Sequence, residues 1–150
     1  MTSQRKTDEA EIRRMTDAWI KGLHDKDVDA VMAHAAPDIL SFDLAPPLLS
    51  RGATRYRKNL EAWFPTWDGP IAMEPRELEI TAGDDVAFST CLNRIGGAKK
   101  DGERPSIWVR VTACFRKIDG RWKVAHEHVS TPFYMDGSVR AAVDLKPEGA

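Results

Sequence analysis

Trp122-Lys-Val-Ala-His-Glu-His-Val129, continued by Ser130-Thr131-Pro132, is the stretch on which the reading of this chain turns. An extended strand sends successive side chains to opposite faces. Simple alternation puts Trp122, Val124, His126, His128 and Ser130 on one face, and Lys123, Ala125, Glu127 and Val129 on the other. Two imidazoles and a hydroxyl behind an indole and a valine are odd lining for a plain core. The expectation is one wall of a pocket.

Asp119-Gly120, just before this run, is a strong two-residue hairpin signal and ties it to an antiparallel neighbour over Ser106–Arg116. Two further runs of period two, Glu74–Ile80 and Val86–Asn93, also read as strands, and Gly96–Gly102 is a mobile polar loop after them. Upstream the period changes. Ile12, Met15, Trp19 and Leu23 recur at helical spacing, which predicts a helix over 8–24 with Asp8, Glu9 and Glu11 at its positive end. Asp27 caps a short second helix that ends by Pro37. Ile39–Asp43 is a short strand, the Pro46-Pro47 segment a loop, and 52–64 a third helix with Tyr56, Leu60 and Trp63 on one side. The last dozen residues read as a frayed tail.

Helices followed by a run of strands indicate an α+β fold, with three N-terminal helices on a strongly bent antiparallel sheet that closes into a cone around a pocket. One domain is expected over 1–150, with its core at about 8–133 and a tail at 134–150. Phe88, Leu92 and Trp108 fall on the face away from the pocket, so a homodimer through that outer face is expected. The net charge is −1, which argues against a nucleic-acid or membrane-surface partner. No apolar run reaches the ~20 residues of a membrane span, and the N-terminus lacks the apolar core of a secretory signal. The expected location is cytoplasmic, where Cys91 and Cys114 read as buried, reduced thiols.

The order of elements and the closing run Arg110–Phe133, RVTACFRKIDGRWKVAHEHVSTPF, resemble the NTF2-like superfamily, and within it the SnoaL-like and ketosteroid-isomerase-like group. The resemblance implies a general-base aspartate after the first short strand, where Asp43 stands. Of the family's two oxyanion donors, the tyrosine position carries Trp19 and the aspartic acid position carries Ala113. In ketosteroid isomerases an apolar site keeps that second donor's carboxylic acid neutral, so that it can give a hydrogen bond. The base position is kept and the usual donors are replaced. The same alignment sets His126, His128 and Ser130 on the pocket wall, with Ala87, Ser89, Cys91 and Asn93 on the wall beside it.

These observations imply a small-molecule pocket formed by Trp19, Asp43, Trp63, Asn93, His126, His128 and Ser130. In a cofactor-free acid/base enzyme of isomerase or cyclase type, acting on a small apolar carbonyl compound, Asp43 would move the proton and His128 would assist. A non-catalytic ligand-binding or dimerisation module is the alternative. Epoxide or ester hydrolysis is a third reading and would need Arg110 beside Asp43. Alternation from Ala113 turns Arg110 away from the pocket, and a bulge would reverse that phase. His126, His128 and Asp43 offer three metal ligands, but the family group works without metal, and no metal or cofactor is expected.

Overall fold

In the computed structural model, which describes residues 2–149, helix α1 runs over Ser3–Asp25. It begins earlier than its apolar spacing predicts because Thr2 caps it, the hydroxyl accepting from the Arg5 N–H at 3.1 Å. Asp8 is therefore inside the helix and not at its positive end. Its carboxylate is buried and accepts from Trp122 Nε1 at 3.0 Å, Lys117 Nζ at 3.1 Å and Gln4 Nε2 at 3.1 Å. Helix α2 (Val28–Met32) is capped by Asp27, which accepts from the Ala30 N–H.

Strand β1 (Ala35–Phe42) leads into the apolar loop 43–49, which holds a cis Pro46-Pro47 bond. The two-residue strand β2 (Ser50–Arg51) and helix α3 (Ala53–Trp63) follow, with one 3₁₀ turn at Phe64–Thr66. The four long strands are β3 (Ala72–Ala82), β4 (Val86–Gly96), β5 (Ser106–Ile118) and β6 (Arg121–Ser130).

The six strands form one sheet in the order β2-β1-β6-β5-β4-β3. The expectation of a purely antiparallel sheet is corrected at one pair: β1 lies parallel to β6. No tight hairpin joins these two strands, so nothing local dictates their relative direction. Register shifts interrupt β3/β4 between Arg76 and Glu79, β1/β6 between Ala35 and Leu40, and β5/β6 between Cys114 and Phe115. Such bulges bend a sheet and raise its local twist.

Two apolar clusters hold the helices to the inner face. Leu23, Val31, Tyr56, Leu60 and Trp67 form one, and Ile12, Met15, Phe115 and Trp122 form the other. Burial of this kind contributes about 25 cal/mol per Å² of apolar surface. A cavity lies along the inner face, with lining residues from both clusters.

Two segments are better anchored than their composition predicts. In the loop after β4, Lys99 Nζ donates to Thr66 Oγ1 at 2.7 Å and sits 4.3 Å from the centre of the Trp67 ring. In the tail, Tyr134 N–H donates to the Arg140 carbonyl at 2.8 Å and Ala142, which is buried, donates to the Pro132 carbonyl at 2.8 Å. No described helix is long and apolar enough to cross a membrane.

Candidate functional site

The phase of β6 decides what faces the cavity. Trp122 and Val124 point inward as alternation predicts: Trp122 is buried in the second cluster and Val124 lines the inner lobe of the cavity. In the pairing with β5, Phe115 stands opposite Val124 and Cys114 opposite His126, so Ala125 has no partner. This extra residue reverses the alternation. Beyond it Glu127 and Val129 face the cavity.

His126, His128 and Ser130 are consequently on the outer face, which corrects the pocket wall expected from the sequence. His126 Nδ1–H donates to the Leu40 carbonyl at 2.7 Å, and both imidazoles pack edge-on to Phe42, with ring centroids 4.7 and 5.3 Å away. Arg110 is also outside, exposed, its Nε–H donating to Ser130 Oγ at 3.1 Å. It has no place beside Asp43. The three groups considered as metal ligands do not converge, since Asp43 lines the cavity and the two histidines do not. Cys91 lines the inner lobe and Cys114 pairs with outward-facing His126, so the thiols lie on opposite faces. Burial pushes both thiols up from their ordinary value.

The other expected residues do come together. Trp19 from α1, Asp43 from the end of β1, Trp63 from α3 and Asn93 from β4 all line the main lobe. That lobe has a volume of about 420 Å³ and a rim formed by loop residues 44–47. A smaller inner lobe continues past Trp19, Asn93, Val111 and Glu127, which border both, toward Met15, Cys91 and Phe115.

Glu127 is the residue that sequence reading missed. It is buried, and Tyr56 Oη–H donates to its Oε1 at 3.0 Å. The Trp19 side chain hydrogen-bonds the Tyr56 hydroxyl in turn, and Ser41 hydrogen-bonds Glu127. Burial is the largest influence on the Glu127 carboxyl and raises it. The Tyr56 and Ser41 hydrogen bonds oppose this, the charge of Asp43 adds to it, and the carboxyl is pushed up to about 7. Burial and the neighbouring Glu127 charge push the Tyr56 phenol well above its ordinary value. Glu127 can therefore hold or release a proton near neutrality. One readable hint existed. Unbroken alternation mixes the apolar Val129 with Lys123 and Glu127 on one face, and His128 and Ser130 with Trp122 on the other, a pattern that a phase reversal resolves.

A family model described as a SnoaL-like domain matches residues 12–134. The chain is similar, at 34% identity, to an NTF2-like protein of unknown function from Pseudomonas putida KT2440, the match covering 95% of this chain and 98% of that one with a TM-score of 0.87. A ketosteroid isomerase-like protein from Erwinia carotovora atroseptica SCRI1043 shares the fold at 21% identity, with 82% and 95% covered and a TM-score of 0.71. The association domain of C. elegans CaMKII does so at 18% identity, with 87% and 100% covered and a TM-score of 0.67. No curated protein matches the chain.

Proposed function

This chain belongs to the SnoaL-like domain family, of NTF2-like fold, and we propose that it is an acid/base enzyme acting on a small apolar carbonyl compound. The observation that carries this reading is the buried Glu127 carboxyl, hydrogen-bonded to Tyr56 and facing a largely apolar cavity that also holds Asp43. Asp43 takes the proton from the carbon beside the substrate carbonyl, while Glu127 gives its proton to the carbonyl oxygen. The product is an enol. Returning the enol proton to Glu127 and the Asp43 proton to a different carbon completes an isomerisation. Glu127 takes the assisting role that sequence reading gave to His128, because His128 does not reach the cavity. The hydrolase reading loses its support for a similar reason, since Arg110 is on the outer face.

A specific observation favours a second reading, a binding module without chemistry. The Trp19 side chain is engaged with Tyr56, and Ala113 has no polar side-chain group, so neither replaces the family's oxyanion donors. Assaying wild type, Asp43→Asn and Glu127→Gln on β,γ-unsaturated ketones separates the two. The enzyme reading expects wild-type turnover and a loss of about 10²–10⁴-fold in each variant. Turnover in both variants equal to wild type would overturn it, and ligand binding without turnover would establish the module. The outer sheet face, with exposed Phe88 and the Phe42–His126–His128 group, fits a homodimer interface.

A further inference from the structure

The two lobes of the cavity differ in size and in chemistry. The inner lobe has a volume of about 40 Å³, against about 420 Å³ for the main lobe. A water-sized sphere takes roughly 10–15 Å³ and a benzene ring about 150 Å³, so the inner lobe admits about three chain atoms and no ring. Ala113, Phe115 and Val124 from the sheet and Met15 from α1 give it apolar walls. Thr16, also in the wall, donates its hydroxyl to the Ile12 carbonyl at 2.9 Å. Burial, with a smaller effect of the Lys123 charge, holds the nearby His34 imidazole below its ordinary value, which favours the uncharged ring. Two features of the sheet make this space. Ala113 stands opposite Glu127 in the β5/β6 pairing, and its methyl group leaves room beside the carboxyl. On β3, Arg76 lies on the outer face, 5.8 Å from the centre of the Trp108 ring, and plain alternation would send Leu78 the same way. The register shift between Arg76 and Glu79, where Glu77 takes a φ of +56°, turns Leu78 into the inner lobe instead.

We infer that the inner lobe is a specificity subsite for a short, unbranched alkyl group on the substrate ketone. The place of the carbonyl rests on the reading that Glu127 gives a hydrogen bond to its oxygen, and Glu127 borders the waist between the lobes. Asp43 lines the main lobe and not the inner one. The carbon that faces Asp43, with the bulky apolar body it carries, therefore lies in the main lobe. The other substituent of the carbonyl carbon points past Ala113 into the inner lobe. The substrate class is a ketone with a ring-sized apolar body on one side and an ethyl- or propyl-sized chain on the other. Ala113 and Leu78 are the residues that set the length and width of that chain.

Isothermal titration of the intact protein at pH 6 tests this with 2-naphthylmethyl ketones whose second substituent is methyl, ethyl, propyl, pentyl or tert-butyl. Affinity is expected to rise about fourfold per methylene from methyl to propyl, then to fall at pentyl, with tert-butyl no better than methyl. Ala113→Leu should flatten the rise, so that methyl and propyl ketones bind alike. Leu78→Ala should move the preference toward pentyl or tert-butyl. Leu78 is only half-buried, so its variant decides the matter if Ala113→Leu fails to fold. The proposal is overturned if the wild type binds all five ketones alike, if it binds none, or if the series is unchanged in every folded variant. Deuterium uptake from solvent at the carbon between ring and carbonyl, followed by NMR on the same ketones, reports proton transfer separately. A chain-length optimum without uptake keeps the subsite and sinks the enzyme reading, and uptake with a flat series does the reverse.

Discussion

Tyr56 on α3 and Glu127 on β6 are joined by a 3.0 Å hydrogen bond between two buried side chains that lie 71 positions apart in sequence. The bond couples the helix layer to the sheet at the cavity. It also stabilises the charged form of a carboxyl that burial would otherwise keep neutral.

Stability should carry the signature of Glu127. Its carboxyl is raised from an ordinary 4.5 to about 7 in the folded protein. Between those values the folded chain holds a proton that the unfolded chain has released. The contribution is thus fully present below about 4.5 and is lost as pH rises through about 7. The span corresponds to roughly 3 kcal/mol. Urea unfolding of wild type and Glu127→Gln from pH 4.5 to 8 reads this directly. The wild type should lose stability relative to the variant as pH rises, and parallel curves would contradict the assignment.

Removing the tyrosine hydroxyl should move the same titration. In Tyr56→Phe the hydrogen bond that lowers Glu127 is gone, so the carboxyl rises further above its ordinary range. The alkaline limb of the pH–rate profile is expected to shift to higher pH, with kcat reduced roughly 10- to 100-fold. An unmoved limb would mean that Glu127 is not the titrating group.

On the outer face, Phe88 is 47% exposed on β4, and its β5 neighbour across the pair is Cys114, beside His126. Phe88→Glu puts a charge into the proposed interface. Sedimentation equilibrium is expected to give a dimer for wild type and a monomer for the variant. Wild type that sediments as a monomer would remove the outer-face dimer.

Asp8 tests how the sheet and the first helix are held together. Burial works to raise its carboxyl, but the hydrogen bonds from Trp122, Lys117 and Gln4 outweigh burial and hold it below the ordinary value. Asp8→Ala leaves the Trp122 indole N–H without its buried acceptor and the Lys117 ammonium without its ion pair. A loss of about 2–4 kcal/mol in urea unfolding is expected. A change under about 0.5 kcal/mol, the scale of an ordinary surface substitution, would deny Asp8 this role.

Local pattern determined much of this protein. The helical spacing of Ile12, Met15, Trp19 and Leu23, the period-two runs after Pro70 and the Asp119-Gly120 turn produce the elements and their order. They do so because each rests on contacts between near neighbours in the chain. Asn93, which the family resemblance set on the pocket wall, does face the cavity, since the cavity-lining part of β4 pairs with β5 without interruption. The tertiary structure decided which side of β6 faces the cavity. One unpaired residue, Ala125, reverses every side chain beyond it, and nothing in its own side chain marks a bulge. It also brought Tyr56 to Glu127 and set β1 parallel to β6. These are relations between distant segments, governed by how the bent sheet closes over its helices and not by the residues on either side of each position.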